Sequence, residues 1–321
     1  VTTLDAPPEH PETVATPNRR RRRIIGMLVW TALFVVGIQF VGVPTSDPLI
    51  AFGWLWLATI AWRNDEPWRT HLRFPRDWLP ICLLLAVYNM SRAWADGLAE
   101  PHVTELIAFD RWAFGWFTGG LTPTEWLQQH LWQPNVVQWW EVVVSIVYFS
   151  HFLTLPTIAV VLWMRSRPRW ARFMRRWFLL SVFGLITYFA YPAAPPWWAD
   201  QYRGLVEATR ISTNGWKAIG LEGAGNTLNA LQVETANDVA AMPSLHTAFA
   251  FMAVVFFLPA VRRRWWPLLL MYPLSMTFTL VYTAEHWVID VLVGWAYVGF
   301  VFLIGGIGER WWTRQHPDPV R

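Results

Sequence analysis

Cysteine is nearly absent from this 321-residue chain: Cys82, inside an apolar run, is the only one. That excludes an intrachain disulfide and a cysteine-based metal site. Lysine is equally scarce, with Lys217 alone, so arginine carries the positive charge. Charge of either sign is thin, at 15% of residues, where a soluble domain carries about 25%. There is no internal repeat and no heptad pattern, which leaves no basis for a repeat array or a coiled coil. In contrast, 54% of the residues are hydrophobic, and there are 25 Trp and 23 Pro. Tryptophan is favoured at membrane–water interfaces, where its ring is half apolar and its N–H stays wet. The composition is that of an integral membrane protein. The net charge of +4 would also suit nucleic acid, but the arginine clusters flank apolar runs, so topology accounts for them and no nucleic-acid partner is expected.

Residues 1–18 are polar and proline-rich and read as a disordered tail. Arg19–Arg23 then form a block of charge ahead of the apolar run 24–43. A secretory signal begins in the same way, but this run is too long and lacks a small-residue cleavage site, so it is expected to remain as a first span. A membrane-crossing helix needs about 20 largely apolar residues. Eight segments qualify: 24–43, 48–62, 78–95, 136–163, 177–191, 244–260, 266–283 and 286–307. The expected fold is therefore an all-α integral membrane protein with about eight transmembrane helices. Numbering the faces alternately leaves only Arg92, Arg111, Arg203, Arg210 and Lys217, of 26 basic residues, off one face. The positive-inside rule makes that face cytoplasmic, with both termini inside. Two long segments then lie outside. Residues 96–135 mix apolar and acidic positions and suggest helices lying at the interface. Residues 192–242, after the run YPAAPPWW, form a long loop of the kind that serves as a lid.

Polar residues within such spans are costly and point to function. In AMPSLH, Pro243 suits a helix start, and Ser244 and His246 fall in a first turn whose outward N–H groups attract phosphate. In YTAEHWVID, His286 and Asp290 are four apart and are expected to share one helical face. A carboxylate so placed holds an imidazole in one tautomer. Singly, the first motif reads equally as a cap with an interfacial histidine, and the second as a surface pair. Together they put two histidines and an aspartate at the outer side on two helices with one span between. His151, in the fourth span, either bonds a neighbouring helix or helps hold a headgroup. Arg203, Arg210 and Lys217 either gather anionic headgroups or are simply solvated. Asp110 and Glu141 are candidates to bind polyol hydroxyls. His10, His71, His102, His130 and His316 show no partner spacing.

PSLH followed by H-x-x-x-D resembles the second and third motifs of the type 2 phosphatidic acid phosphatase (PAP2) superfamily, membrane lipid phosphatases and phosphotransferases. The likeness covers roughly residues 80–307. It is greatest with the inositol phosphorylceramide synthase-like branch, which similarly has Leu between Ser and His. That branch also has a Pro-Pro-Trp run before the motif, matched by Pro195, Pro196 and Trp197, and a comparable Tyr148-x-x-His151 spacing. The chain departs from the superfamily in lacking the first motif, a Lys followed by Arg-Pro, and in placing Leu280 where a phosphate-binding Arg is usual. A phosphodiester carries one charge and needs fewer cations than a monoester, so these losses favour transfer of a diester headgroup.

The resemblance implies a division into a cytoplasmic tail with the Arg block (1–23), two additional N-terminal helices (24–77), a six-helix catalytic core (78–309) and a second cytoplasmic tail (310–321). It further implies that His286 attacks phosphorus to form a phosphohistidine. Asp290 orients it, and His246 serves as general acid and then general base. Ser244 and the helix start would contact the phosphoryl oxygens, with His151, Tyr148 and Arg92 as further substrate-binding candidates. Arg92 otherwise reads as a snorkelling interfacial side chain. No metal and no cofactor is expected. The partners are a phospholipid donor, a lipid alcohol acceptor and the bilayer itself. The expected activity is a lipid phosphotransferase of a bacterial plasma membrane with its site toward the extracytoplasmic leaflet. The alternatives are a lipid phosphate phosphatase acting on phosphatidic acid or a polyprenyl phosphate, and a non-catalytic lipid transporter.

Overall fold

The computed structural model describes residues 17–41, 48–95, 100–134, 136–218 and 239–315. Among these residues the regular elements are all helices, and the only β features are isolated bridges from Ala193 to His102 and to Ala240. The chain forms two compact units that divide between Leu83 and Leu84.

In the first unit, α1 (Pro17–Val41) packs on α2 (Pro48–Trp62). Gly37 permits the contact, since a Cβ there would sit 2.5 Å from the Trp54 ring. Trp30 donates its indole N–H to the Trp54 carbonyl at 3.0 Å, and Arg19 pairs with Asp65. A short α3 (Trp68–His71) leads into α4 (Arg73–Ala95), whose early residues Phe74 and Trp78 stack at 4.8 Å.

The second unit contains α5 (Thr104–Thr118), α6 (Pro123–Leu131), α7 (Trp139–Arg165), α8 (Arg167–Ala190), α9 (Pro196–Arg203) and α10 (Asn214–Ala218). It continues with α11 (Leu245–Phe257), α12 (Trp266–Tyr282) and α13 (Val288–Gln315). Among the described residues, three helices are long and apolar enough to cross a bilayer: α7, α8 and α13 as far as Trp311. The eight apolar segments of the sequence each fall on a helix within the described residues, but α13 begins at Val288, two residues later than expected.

The segment between α4 and α7 folds as two short helices. On α5, Leu106, Ile107 and Asp110 are buried while Trp112 and Trp116 are exposed, the two-faced pattern of a helix lying along an interface. α6 opens with a capping box. Thr122 and Glu125 satisfy each other's backbone N–H, as Ser/Thr-x-x-Glu sequences do. Two devices then tie the outer segments to the helices. Ala193 is stitched on both sides, to the strand-like His102 backbone and to Val239 and Ala241 just ahead of α11. The Gln128 amide donates to the carbonyls of Thr209 (2.7 Å) and Tyr282 (2.9 Å) and accepts from the Thr209 N–H (2.9 Å).

Candidate functional site

The site is assembled where α7, α11 and the α12–α13 turn meet. Ser244 is the N-cap of α11, and its side chain accepts from the Thr247 N–H. The next two residues diverge. Leu245 packs on α8, where Gly184 makes room: a Cβ there would fall 2.9 Å from the Leu245 methyls. His246 turns toward α7. Its ring lies 4.2 Å from that of His151 and stacks on Tyr148 at 5.5 Å, centroid to centroid. His151 also bonds the His246 backbone. The Tyr148-x-x-His151 spacing thus puts both rings on one face of α7, against a single imidazole.

His286 does not lie on a helix, contrary to the expectation that it shares a helical face with Asp290. α12 ends in a Schellman-type turn with Ala284 at φ 63°, and the N–H groups of Glu285 and His286 both donate to the Leu280 carbonyl. Helix-like spacing was the wrong geometry because this turn uses up the residues ahead of Val288. The His–Asp pair forms nonetheless: Asp290, in the first turn of α13, reaches back. Its Oδ2 accepts from the Trp287 N–H at 2.9 Å and faces His286 Nδ1 at 3.4 Å. The other ring nitrogen, Nε2, faces His246 Nδ1 at 3.4 Å. Asp290, His286 and His246 therefore form a line. Ser244 and Asp290 are fully buried, His286 is nearly so, and His246 is partly buried. The Ser244 N–H donates to the Asp290 carbonyl at 3.0 Å, which locks the start of α11 to that of α13. Gly294 allows this approach, because a Cβ there would lie 2.7 Å from the Ser244 carbonyl oxygen.

Asp110 and Glu141 were candidates for polyol binding, and the structure gives both another task. Asp110 is fully buried and accepts from the N–H groups of Val288 (3.0 Å) and Ile289 (3.2 Å), so a side chain from α5 caps α13. Burial pushes its carboxyl up to about 7, against the opposing pull of these N–H donors, and the nearby Asp290 charge adds to the rise. Glu141 closes a capping box with Gln138 and accepts from the Tyr282 hydroxyl. Arg92 lies on α4, but its side chain is outside the described residues, as is much of the loop considered as a lid, 219–238.

Sequence reasoning did not pair Arg210 with Glu285. Arg210 forms a two-pronged ion pair with Glu285, Nε to Oε1 at 2.8 Å and Nη2 to Oε2 at 3.0 Å. Its guanidinium also covers the Trp197 ring at 4.8 Å and reaches the Tyr148 hydroxyl. Arg210 had been weighed only as one of three loop cations. The overlooked signal was Glu285, an acidic residue directly beside the motif histidine in a stretch with little charge.

A family model described as the PAP2 superfamily matches residues 104–304, which hold all of these described side chains. The chain is also 25% identical over 241 residues to the phosphoinositol dihydroceramide synthase of Bacteroides thetaiotaomicron, covering 71% of this chain and 76% of that protein. No solved structure matches the chain.

Proposed function

This chain belongs to the PAP2 superfamily, and on that footing we propose that it moves a phosphoryl headgroup, such as phosphoinositol, from a phospholipid to a lipid alcohol. That it is an enzyme of the lipid phosphotransferase or phosphatase kind follows from the family and from the synthase relative, and stands against a non-catalytic transporter. The transferase reading rests on the name of that relative and on the absence of two phosphate-binding basic residues. The observation that carries the chemistry is the line Asp290–His286–His246.

With Nδ1–H held toward Asp290, His286 presents a lone pair at Nε2. Nε2 attacks phosphorus, and the bond from phosphorus to the diacylglycerol oxygen breaks. The leaving oxygen takes the bond's electron pair and a proton from His246. The acceptor hydroxyl then attacks the phosphohistidine. His246 takes its proton, the N–P bond breaks, and His286 is restored. The 3.4 Å gap between the two imidazoles is too short to hold a phosphoryl group, so the partly exposed His246 ring moves aside as substrate enters. Asp290 stabilises the positive charge that builds on His286. Ser244 and the first turn of α11 face the phosphoryl oxygens, and His151 and Tyr148 hold His246 and line the approach. The chain spans a bacterial plasma membrane about eight times, with the last six spans as the core and the site opening to the extracytoplasmic leaflet.

Product analysis by mass spectrometry tests this. Purified protein in mixed micelles receives phosphatidylinositol and phosphatidic acid, with and without a lipid alcohol, beside a His286→Ala control. Transfer of phosphoinositol to the alcohol, lost in the control, is expected. Release of inorganic phosphate from phosphatidic acid, indifferent to alcohol, would make the protein a phosphatase.

A further inference from the structure

We propose that Arg210 and Glu285 form the headgroup-charge selector of this site: Arg210 binds the phosphoryl oxygens, and Glu285 restricts it to phosphate esters of one negative charge. The inference rests on the phosphotransfer reading above.

Arg210 is not an ordinary loop cation. Its neighbours are clamped on both sides, Thr209 by the Gln128 amide and Ile211 by an N–H bond to the Thr283 carbonyl at 3.5 Å. Its side chain is 20% exposed and that of Glu285 is 7% exposed. A charge pair so far out of water is an expensive way to stabilise a fold, since desolvation offsets most of the attraction. The pair sits at the reacting groups. Glu285 is covalently next to His286. Arg210 reaches Tyr148, whose ring stacks on His246. Leu280, where the superfamily has a phosphate-binding Arg, is fully buried and offers only its backbone carbonyl. Arg210, paired with the residue next to His286 and bonded to the tyrosine against His246, is therefore the cation assigned to a phosphoryl group on His286.

The partner decides which phosphate it accepts. A planar guanidinium offers five donors, so Arg210 can keep one prong on Glu285 and give others to a phosphate. The Arg–Glu pair is neutral as a unit. A diester anion placed beside it brings one negative charge. A monoester dianion brings two, so the cluster of Arg210, Glu285 and ligand stands at minus two, against minus one for the diester, while Glu285 stays ionised. Like charges at close range in a poorly solvated site repel strongly. The geometry selects a phosphodiester lipid and disfavours a phosphomonoester such as phosphatidic acid.

The test uses the full chain in mixed micelles at a pH where the monoester is a dianion. Turnover of phosphatidylinositol and of phosphatidic acid is measured for wild type, Glu285→Gln, Arg210→Lys and Arg210→Ala. Wild type is expected to prefer the diester. Glu285→Gln keeps the shape and drops the charge, and should raise kcat/KM for phosphatidic acid relative to phosphatidylinositol at least tenfold. Arg210→Ala should raise KM for both lipids, with partial rescue by Arg210→Lys. A substrate ratio unmoved by Glu285→Gln in a protein that still turns over the diester overturns the selector while leaving the phosphotransfer reading intact. A wild type that turns over neither lipid overturns both. A purely structural pair would lower both activities together and leave their ratio unchanged, which also counts against the proposal.

Discussion

Gly294 offers the sharpest check on the arrangement at the site, because a single methyl group there has a calculable consequence. A Cβ at residue 294 would stand 2.7 Å from the Ser244 carbonyl oxygen and 3.4 Å from the Ala248 Cβ. The first distance must open by about 0.7 Å to reach ordinary contact, and both partners are backbone or short side chain, so no rotamer can relieve it. The helices α11 and α13 must part, and these carry His246 and Asp290. Overpacking of this kind costs about 1–3 kcal/mol, and a misplacement of about 1 Å can lower a rate a hundredfold. Gly294→Ala is therefore expected to reduce turnover at least tenfold and to lower the unfolding temperature in detergent. Gly299, on the same helix, has nothing within 4 Å of such a Cβ. Gly299→Ala should leave turnover alone and gain up to about 1 kcal/mol from helix propensity. Assays of both variants in the same micelles separate a local steric effect from a general dislike of substitution in α13. A Gly294→Ala protein that works and melts like wild type would show that the two helices do not meet as described, and the reasoning would fall.

Asp290→Asn keeps an acceptor for the Trp287 N–H but loses the charge that orients His286, and turnover should drop by about a hundredfold to ten-thousandfold, read from single-turnover rates. Gln128→Ala strands three backbone partners, the buried Tyr282 carbonyl at the end of α12 and the Thr209 N–H and carbonyl beside Arg210; a loss of about 1–3 kcal/mol is expected, seen by thermal unfolding, together with a raised KM. Asp110 gives a pH signature: its folded-state value, pushed up by burial to about 7, lies above the ordinary 3.8. The folded chain thus binds more protons than the unfolded one between these values, so wild-type stability falls relative to Asp110→Asn as pH rises through that window and is level above it. Chemical unfolding of both proteins from about pH 4 to pH 8 reads the difference.

Composition and the apolar runs were enough to establish a helical membrane protein, because a bilayer leaves the backbone few other ways to satisfy its hydrogen bonds. Two short motifs were enough to nominate Ser244, His246, His286 and Asp290, since polar groups at the mouth of an apolar span are too costly to be idle. Tyr148 and His151 were singled out by the family resemblance, and the structure put their rings on one face of α7. What spacing does not contain is the path of the chain between helices. The αL turn at Ala284 took His286 off the helix, and the pair with Asp290 survived because a carboxylate in a first turn naturally reaches back to the N–H groups ahead of it. The neighbours of the site were decided by tertiary structure alone. Asp110 caps α13 from 178 positions away, and Arg210 meets Glu285 across 75. No local period records a contact between residues so distant in the chain. The identity of a buried acid, as cap, ligand or selector, is set by whichever donor the fold brings to it.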